Sequence, residues 1–163
     1  MIKAFGAWAV AMCAAAGACA ACEVEARIAG RNDPLLWPVS GEITSGYGPR
    51  FHPLLNEQRF HPGIDIAGPT GDAVVAARSG QVAEAGRRGY YGNYIRLDHG
   101  ADLHTAYGQL SEIDVAAGDC VRAGDVIGKR GSTGLSSGPH LHFELLEGEM
   151  AIDPAPMLTP AKP

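Results

Sequence analysis

The sequence has no excess of positive charge. Its 163 residues include 13 Lys and Arg against 18 Asp and Glu, which gives a formal net charge of −5 at pH 7. Binding to the phosphate backbone of DNA or RNA depends on clustered Lys and Arg, so this balance excludes a general nucleic-acid-binding function. The chain is also too short for a second large domain beside one of ordinary size.

Long amphipathic helices are missing as well. Outside the N-terminal segment, no stretch repeats apolar residues with helical periodicity for long enough to form a major helix. Short apolar runs instead alternate with turns, and the chain has 22 glycines and 11 prolines. This spacing predicts an all-β domain. The predicted strands are 73–77, 81–85, 94–98, 103–107, 126–128 and 140–146, and the predicted hairpin connections are 86–89 and 99–102.

The N-terminal segment is typical of an exported protein. From Ile2 to Cys22 the only charged side chain is Lys3, which precedes a long run of mostly alanine. Small residues at positions 18 and 20 suit a signal peptidase, so residues 1–20 are predicted to be a signal peptide. An acylated Cys19 or Cys22 is the alternative. We therefore expect export to the periplasm or cell envelope. After cleavage of a signal peptide the protein would have no stable membrane span, whereas the alternative would leave it attached by a lipid anchor.

The remaining chain divides into a linker, one domain and a tail. Residues 21–34 are predicted to be a linker or flexible N-terminus, residues 35–158 the folded domain, and residues 159–163 a tail. The proline-rich segment after position 153 is expected to be unstructured or to lie along the surface. Cleavage after position 20 would leave Cys22 and Cys120, which can pair in an oxidising compartment. The alternative is a small apolar core residue at Cys120 and a loose tail around Cys22.

The first of two histidine clusters is HLHFEL at 140–145. It alternates polar and apolar residues, so a strand would aim His140, His142 and Glu144 at one face and the intervening side chains at the core. Two imidazoles at this spacing on a strand lie about 7 Å apart. One can then bind a metal while the other reaches a water beside it. The plainer alternative is a half-buried strand whose polar face only meets solvent.

The second cluster is HPGID at 61–65. Pro62 and Gly63 disfavour a helix, and on an extended segment His61 and Asp65 return to one face. An imidazole and a carboxylate are ordinary zinc ligands. With one histidine from the first cluster they make three, which leaves the fourth position for water, as in catalytic zinc sites. The alternative is that Asp65 caps a turn and His61 lies on a loop surface.

These clusters belong to a longer series of short motifs. In order, they are TSGYGPR at 44–50, HPGID at 61–65, GNYI at 92–95, GSTG at 131–134 and GPHLHFE at 138–144. The series, over about 39–154, resembles the lysostaphin/LytM-type zinc metallopeptidases that cleave peptidoglycan peptides. The resemblance implies a compact antiparallel β-sheet fold, of the lysostaphin-like duplicated hybrid motif, with few or no helices. It also implies Zn²⁺ bound by His61, Asp65 and His142, and His140 as the catalytic histidine that assists the attacking water.

One position departs from the family pattern. Where the family typically shows Tyr, a small residue, His and Leu, this chain reads YGQL at 107–110, so Gln109 replaces a second active-site histidine. A glutamine donates a hydrogen bond but cannot take up and release a proton as an imidazole does. In a regular strand His104 would point to the opposite face from Gln109 and could not substitute for the missing histidine. His52 and His99 lie in turn-like surroundings.

The resemblance implies a zinc-dependent endopeptidase that hydrolyses peptide bonds in peptidoglycan stem peptides or crosslinks. Loss of one general acid/base typically costs about 10² to 10⁴ in rate, which allows a slow enzyme. The loops at 51–60 and 86–91 are expected to set substrate preference. Because metal ligation needs neutral imidazoles, activity and zinc affinity are expected to fall below about pH 6.

Two other functions compete with this one. The first is a catalytically weak or inactive relative that binds the cell wall and regulates a separate amidase. Such relatives generally lose metal ligands, whereas this chain keeps three candidates. The second is a lipoyl-like carrier, because the segment around Lys129 resembles the hairpin of those proteins; it is disfavoured, since the expected flanking Met is absent.

Overall fold

The computed structural model describes residues 34–52 and 56–159. The predicted signal peptide, Cys22, nearly all of the predicted linker and residues 160–163 lie outside these ranges. In chain order the strands are β1 (Glu42–Ser45), β2 (Gly48–His52), β3 (Glu57–His61), β4 (Ile64–Ala67), β5 (Ala73–Val75), β6 (Gly80–Arg88), β7 (Gly92–Asp98), β8 (Leu103–Leu110), β9 (Glu112–Ile113), β10 (Cys120–Val121), β11 (Val126–Lys129), β12 (His140–Glu147) and β13 (Met150–Ile152). The helical elements of the described ranges are two 3₁₀ turns, Gly89–Tyr91 and Ala155–Met157, and neither is long enough to cross a membrane.

One large antiparallel sheet organises the domain. Its strand order is β1, β4, β12, β8, β7, β6 and β10, with β13 also beside β12. A second sheet contains β5, β11 and β9, and β2 and β3 form a separate hairpin. The predicted antiparallel all-β fold is therefore confirmed. Because β12 inserts between β4 and β8, two segments far apart along the chain become neighbours, and His142 lies directly opposite Asp65.

The core lies against one face of the large sheet. The apolar residues of the HLHFEL strand, Leu141, Phe143 and Leu145, are each at most 1 % exposed. They pack with aliphatic side chains from the neighbouring strands, including Ile64 and Ile66 of β4. The polar members of the same strand consequently project from the opposite face, as the alternation predicts.

All six predicted strands are present, with their ends displaced by at most three residues. The predicted hairpin connection at 99–102 is confirmed between β7 and β8. The one predicted at 86–89 is wrong, because β6 continues to Arg88 and the turn is Gly89–Tyr91. Pairing of Arg88 with Gly92 extends the ladder, and Gly92 closes the turn with a φ of +70°.

The segment after position 153 closes the domain. Pro154 is buried, and Leu158 forms a parallel bridge with Leu35, whose carbonyl accepts a hydrogen bond from Thr159 N at 2.7 Å. Cys120 is exposed at the start of β10, so the alternative of a core residue there is wrong. Its pairing with Cys22 stays a prediction, since Cys22 lies outside the described residues.

Candidate active site

The three predicted metal ligands meet on the face of the large sheet opposite the core. His61 ends β3, Asp65 lies on β4, and His142 lies on β12 in direct register with Asp65. His142 Nδ1 is 2.9 Å from Asp65 Oδ1 and 3.1 Å from His61 Nε2, and the third side of this triangle is 3.3 Å. All three side chains belong to buried residues. One donor atom from each thus lies within 4.8 Å of the others.

Each imidazole of this cluster is oriented by its second nitrogen. His61 Nδ1 donates to Gly46 O at 2.8 Å, and His142 Nε2 donates to Glu144 Oε1 at 2.8 Å. His61 Nε2 and His142 Nδ1 therefore face Asp65 as the atoms available for ligation. Two imidazole nitrogens and one carboxylate oxygen, each held by an outer hydrogen bond, form a donor set that fits zinc.

Without a metal, this cluster holds a proton. Burial lowers the pKa of His142, but hydrogen bonds to Asp65 and Glu144 outweigh that effect and raise it to about 9. Burial raises the pKa of Asp65, but hydrogen bonds from His142 and His61 together hold it well below its usual range. Arg50 Nη2 lies 3.3 Å from Asp65 Oδ2 and adds a further positive charge. Any cation that binds here must displace the proton between His142 and Asp65.

Glu144 and Tyr91 form a hydrogen-bonded chain that orients the His142 ring. Glu144 is 3 % exposed, and its Oε1 also accepts a hydrogen bond from the Tyr91 hydroxyl at 2.8 Å. Burial, with the nearby Glu144 charge, raises the pKa of Tyr91, so the hydroxyl remains a donor at neutral pH. Gly108 makes room for this arrangement, because a Cβ there would lie 3.2 Å from Tyr91 Cδ1 and 3.5 Å from His142 Cβ. The sequence alternation placed Glu144 on the correct face but gave it no role, and it did not indicate Tyr91.

His140 lies beside the cluster rather than within the three-ligand set. Its Nδ1 donates to Gly138 O at 2.8 Å, with Ser136 Oγ at 3.3 Å. Its Nε2 is consequently the basic nitrogen and lies 3.6 Å from Asp65 Oδ1. The predicted catalytic histidine therefore presents a proton acceptor at the edge of the candidate metal site.

Gln109 occupies a β-bulge. In the pairing of β7 with β8, Tyr107 lies opposite Ile95 and Leu110 lies opposite Asn93, so β8 has one residue more than β7 between these two pairs. Within this bulge Gln109 adopts a φ of +65°. A bulge of this kind turns a side chain away from the strand's regular alternation. Gln109 is thereby brought to the groove beside the histidines.

Both ends of the Gln109 amide bind backbone groups. Its Nε2 donates to Tyr90 O at 3.0 Å, and its Oε1 accepts a hydrogen bond from Gly134 N at 2.7 Å. Gly134 is packed so closely on Tyr90 O that a side chain there would collide with it. Gln109 thus ties the turn Gly89–Tyr91 to the loop that precedes β12.

The prediction that His104 points to the opposite face from Gln109 is wrong, because β8 is not a regular strand. His104 pairs with Leu146, and His142 pairs with Gly108, so both histidines project from the same sheet face. The bulge is what brings Gln109 to that face. His104 still cannot replace it, since it lies four residues from Gly108, about 13 Å along the strand.

The other histidines and Lys129 lie elsewhere. His99 is 2 % exposed, with Nδ1 donating to Ser79 O and Nε2 2.8 Å from Thr105 Oγ1. His52 ends β2, opposite Glu57 in the hairpin register. Lys129 lies within β11 rather than at a hairpin tip and forms an ion pair with a glutamate of β9, an arrangement that disfavours the carrier function.

The cluster opens into a groove of about 310 Å³. One wall is the β2–β3 hairpin, and the other combines the turn Gly89–Tyr91 with the loop before β12. Part of each wall comes from the two loops from which substrate preference is expected, since Arg59 and Phe60 lie within 51–60, and Tyr90 and Tyr91 within 86–91. The groove is lined by Arg50, Arg59, Phe60, His61, Pro62, Asp65, Tyr90, Tyr91, Gln109, Leu135, Ser136, Ser137, His140 and His142.

Known proteins share this arrangement of sequence and fold. Residues 59–154 match the model of Peptidase family M23. The chain is 41 % identical over 128 residues to the DD-carboxypeptidase/endopeptidase Mpg of Neisseria meningitidis, covering 78 % of this chain and 29 % of that protein. The chain spans less than a third of the length of the curated relatives it matches.

Two solved structures show the same fold. A zinc-containing peptidase from Vibrio cholerae aligns with a TM-score of 0.69 and 35 % identity, covering 76 % of this chain and 40 % of that one. The catalytic domain of lysostaphin from Staphylococcus simulans aligns with a TM-score of 0.64 and 37 % identity, covering 71 % and 90 %. From these matches and the motifs that carry them, the chain belongs to peptidase family M23.

Proposed function

We propose that this chain is a zinc-dependent endopeptidase that hydrolyses peptide bonds in peptidoglycan stem peptides or crosslinks. The observation that carries the proposal is the buried convergence of His61, Asp65 and His142 at the floor of a peptide-sized groove. The relative named DD-carboxypeptidase/endopeptidase and the zinc-containing structural neighbour support this class of reaction. A zinc ion held by these three side chains would supply Lewis-acid chemistry, polarising the scissile carbonyl and activating water.

His140 is the proton-transfer group of the proposed reaction. Gly138 O fixes its tautomer, so Nε2 carries the lone pair that faces the cluster. Nε2 accepts a proton from the attacking water as a general base. It then returns that proton to the leaving amine nitrogen as a general acid, which completes cleavage of the C–N bond.

Gln109 supports the reaction without transferring protons. One N–H of its amide donates to Tyr90 O. The second N–H can donate a hydrogen bond to a substrate. A donor at this position can stabilise a developing oxyanion, and loss of such a donor costs about 10² to 10³ in rate. His140 therefore carries both proton transfers, so we expect a slower enzyme than one with two histidines at the site.

Digestion of purified peptidoglycan tests this function. Wild type should release peptide fragments with one zinc bound per chain, and His142→Ala should lose both zinc and cleavage. Gln109→His should retain zinc and cleave at least as fast as wild type, because it restores a second proton-transfer group. Fully zinc-loaded wild type that releases no fragments would overturn the proposal.

A wall-binding regulator of a separate amidase is the second candidate function. The observation that favours it is the absence of a proton-transfer side chain at Gln109. Retention of all three ligand side chains favours the enzyme. Stimulation of a purified amidase by wild type and by His142→Ala alike, with no cleavage by either, would establish the regulator instead.

We propose that the protein acts in the periplasm or cell envelope, where its substrate lies. The support is the N-terminal sequence, either as a signal peptide over 1–20 or as a lipid anchor at Cys19 or Cys22. Mass spectrometry of the mature protein from its native host distinguishes the two, and an uncleaved, unmodified N-terminus would contradict both.

A further inference from the structure

We propose that Arg59, with Arg50 beside it, makes the groove select peptides that carry a carboxylate within about two residues of the scissile bond. The inference rests on the proposed peptidase function and names its substrate class. The carboxylate can be a free C-terminus or an acidic side chain, since both present the same chemistry to a guanidinium.

The hairpin register places the two arginines together. Arg50 lies directly opposite Arg59 in the β2–β3 ladder, and directly opposed residues project from the same face. His61 projects from that face too, two residues beyond Arg59. Both arginines line the groove. The hairpin therefore presents two guanidinium groups and a metal ligand to the same bound peptide.

The spacing matches the length of a dipeptide. Arg50 Nη2 lies 3.3 Å from Asp65 Oδ2, so its guanidinium is at the metal cluster itself. Arg59 precedes His61 by two residues, about 7 Å along the strand, which is also the rise of two residues in an extended peptide. The Arg59 guanidinium lies over the Tyr90 ring of the opposite wall, with Cζ 6.0 Å from the centroid. A peptide between the two walls must pass beside it.

The charged side chains that line the groove favour an anionic ligand. Its lining contains two arginines and one carboxylate, Asp65, which is a candidate metal ligand. Like charges directly opposed across a hairpin are destabilising. Glu57, outside the groove lining, offsets part of this through an ion pair of 2.8 Å with Arg59 Nε. Bound zinc would add further positive charge beside the two arginines.

Arg59 is accessible to such a ligand. Its side chain is 45 % exposed, and guanidinium nitrogens pair with carboxylates in a planar, often bidentate geometry. A carboxamide has the same shape as a carboxylate but no charge. We therefore expect an acid to be preferred over the matched amide by about 10-fold to 100-fold, the range of hydrogen bonds to charged groups.

Three synthetic peptides of one sequence test the selection on the zinc-loaded full chain. The first ends in a free carboxylate two residues after the scissile bond, the second in a carboxamide at that position, and the third combines the carboxamide with an acidic side chain at the same distance. Wild type should prefer the first or the third over the second by 10-fold to 100-fold in kcat/KM, mostly through KM. Whichever acid is preferred identifies the source of the carboxylate.

Two substitutions at Arg59 separate recognition from folding. Arg59→Gln should reduce the acid-over-amide preference below about threefold, and Arg59→Glu should reverse it, a change that a purely structural role would not produce. Arg96→Gln is the matched control, since Arg96 pairs with Glu149 outside the groove and outside both loops expected to set substrate preference. This control should keep the wild-type preference. Equal kcat/KM for acid and amide in wild type, or an unchanged preference in Arg59→Gln, would overturn the inference.

A binding measurement keeps this test independent of cleavage. In His140→Ala, which lacks the proposed proton-transfer group, the dissociation constants of the acid and amide peptides are compared with and without Arg59→Gln. Tighter binding of an acid, lost in the double variant, supports the selection even if no peptide is hydrolysed, in which case only the peptidase proposal fails. Equal binding of all three peptides would overturn the role of Arg59.

Discussion

Zinc binding at pH 7.5 is expected to release close to one proton per chain from His142, in addition to the proton that zinc-bound water releases. The metal-free protein shares that proton between His142 and Asp65, and hydrogen bonds to Asp65 and Glu144 raise the pKa of His142 to about 9 despite its burial. The proton occupies the Nδ1 atom that zinc needs. Binding must therefore expel it, so affinity decreases as the pH falls.

The size of this effect follows from the pKa. At pH 7.5 only about 3 % of metal-free molecules have an unprotonated His142, which weakens apparent zinc affinity about 30-fold, or about 2 kcal/mol, relative to its limit at high pH. Between pH 7 and pH 8 the affinity should change about tenfold. Zinc affinity therefore begins to decrease as the pH falls below about 9, and not only below about pH 6, as the unperturbed histidine pKa predicts. In the metal-free protein the same protonated pair stabilises the fold below about pH 6.5, and that contribution is lost as the pH rises through about 9.

Calorimetry in buffers of different ionisation enthalpy counts the protons released, and NMR titration of the metal-free protein follows the His142 ring directly. Glu84→Gln, which alters an exposed carboxylate of β6, should change neither result. A His142 ring that titrates near pH 6.5, or zinc binding at pH 7.5 without proton release, would refute the reasoning.

Three further expectations concern residues around the site and in the core. Glu144→Gln removes the charge behind His142 and should weaken zinc binding at pH 8.5 about tenfold by chelator competition, whereas Glu84→Gln should not. Gly134→Ala forces apart the Tyr90 carbonyl and the loop before β12, so peptide cleavage should fall at least tenfold while zinc affinity stays within about twofold. Burial lowers the pKa of His99 to about 4, so acidification from pH 6.5 to pH 4 should cost about 3 kcal/mol of unfolding free energy. Urea denaturation should show that loss in wild type and not in His99→Gln; equal pH dependence would contradict it.

The sequence predicted the site well where side chains alternate regularly. The HLHFEL strand has period-two patterning, so the faces of His140, His142 and Glu144 could be assigned before any pairing was known. The convergence of His61 and Asp65 with that strand rested on resemblance to a family, since nothing local specifies that β12 inserts between β4 and β8. Contacts so distant along the chain are set by packing of the core.

Irregular features could not be predicted in the same way. Gln109 reaches the groove through a bulge, which breaks the parity on which the placement of His104 depended. The hairpin that carries Arg50 and Arg59 has two short strands with weak apolar patterning, so the sequence did not predict it. The turn Gly89–Tyr91 was predicted three residues too early, because the glycine before it suggested a break where the ladder continues.

The bridge between Leu35 and Leu158 has a consequence for how this domain can be connected to others. It brings the entry and the exit of the described fold within one ladder spacing, about 5 Å. A domain whose two ends meet in this way can be inserted into a loop of another protein, or circularly permuted with a short joining peptide, without stretching its sheet. Such a cassette suits a family in which this unit accounts for less than a third of the curated relatives.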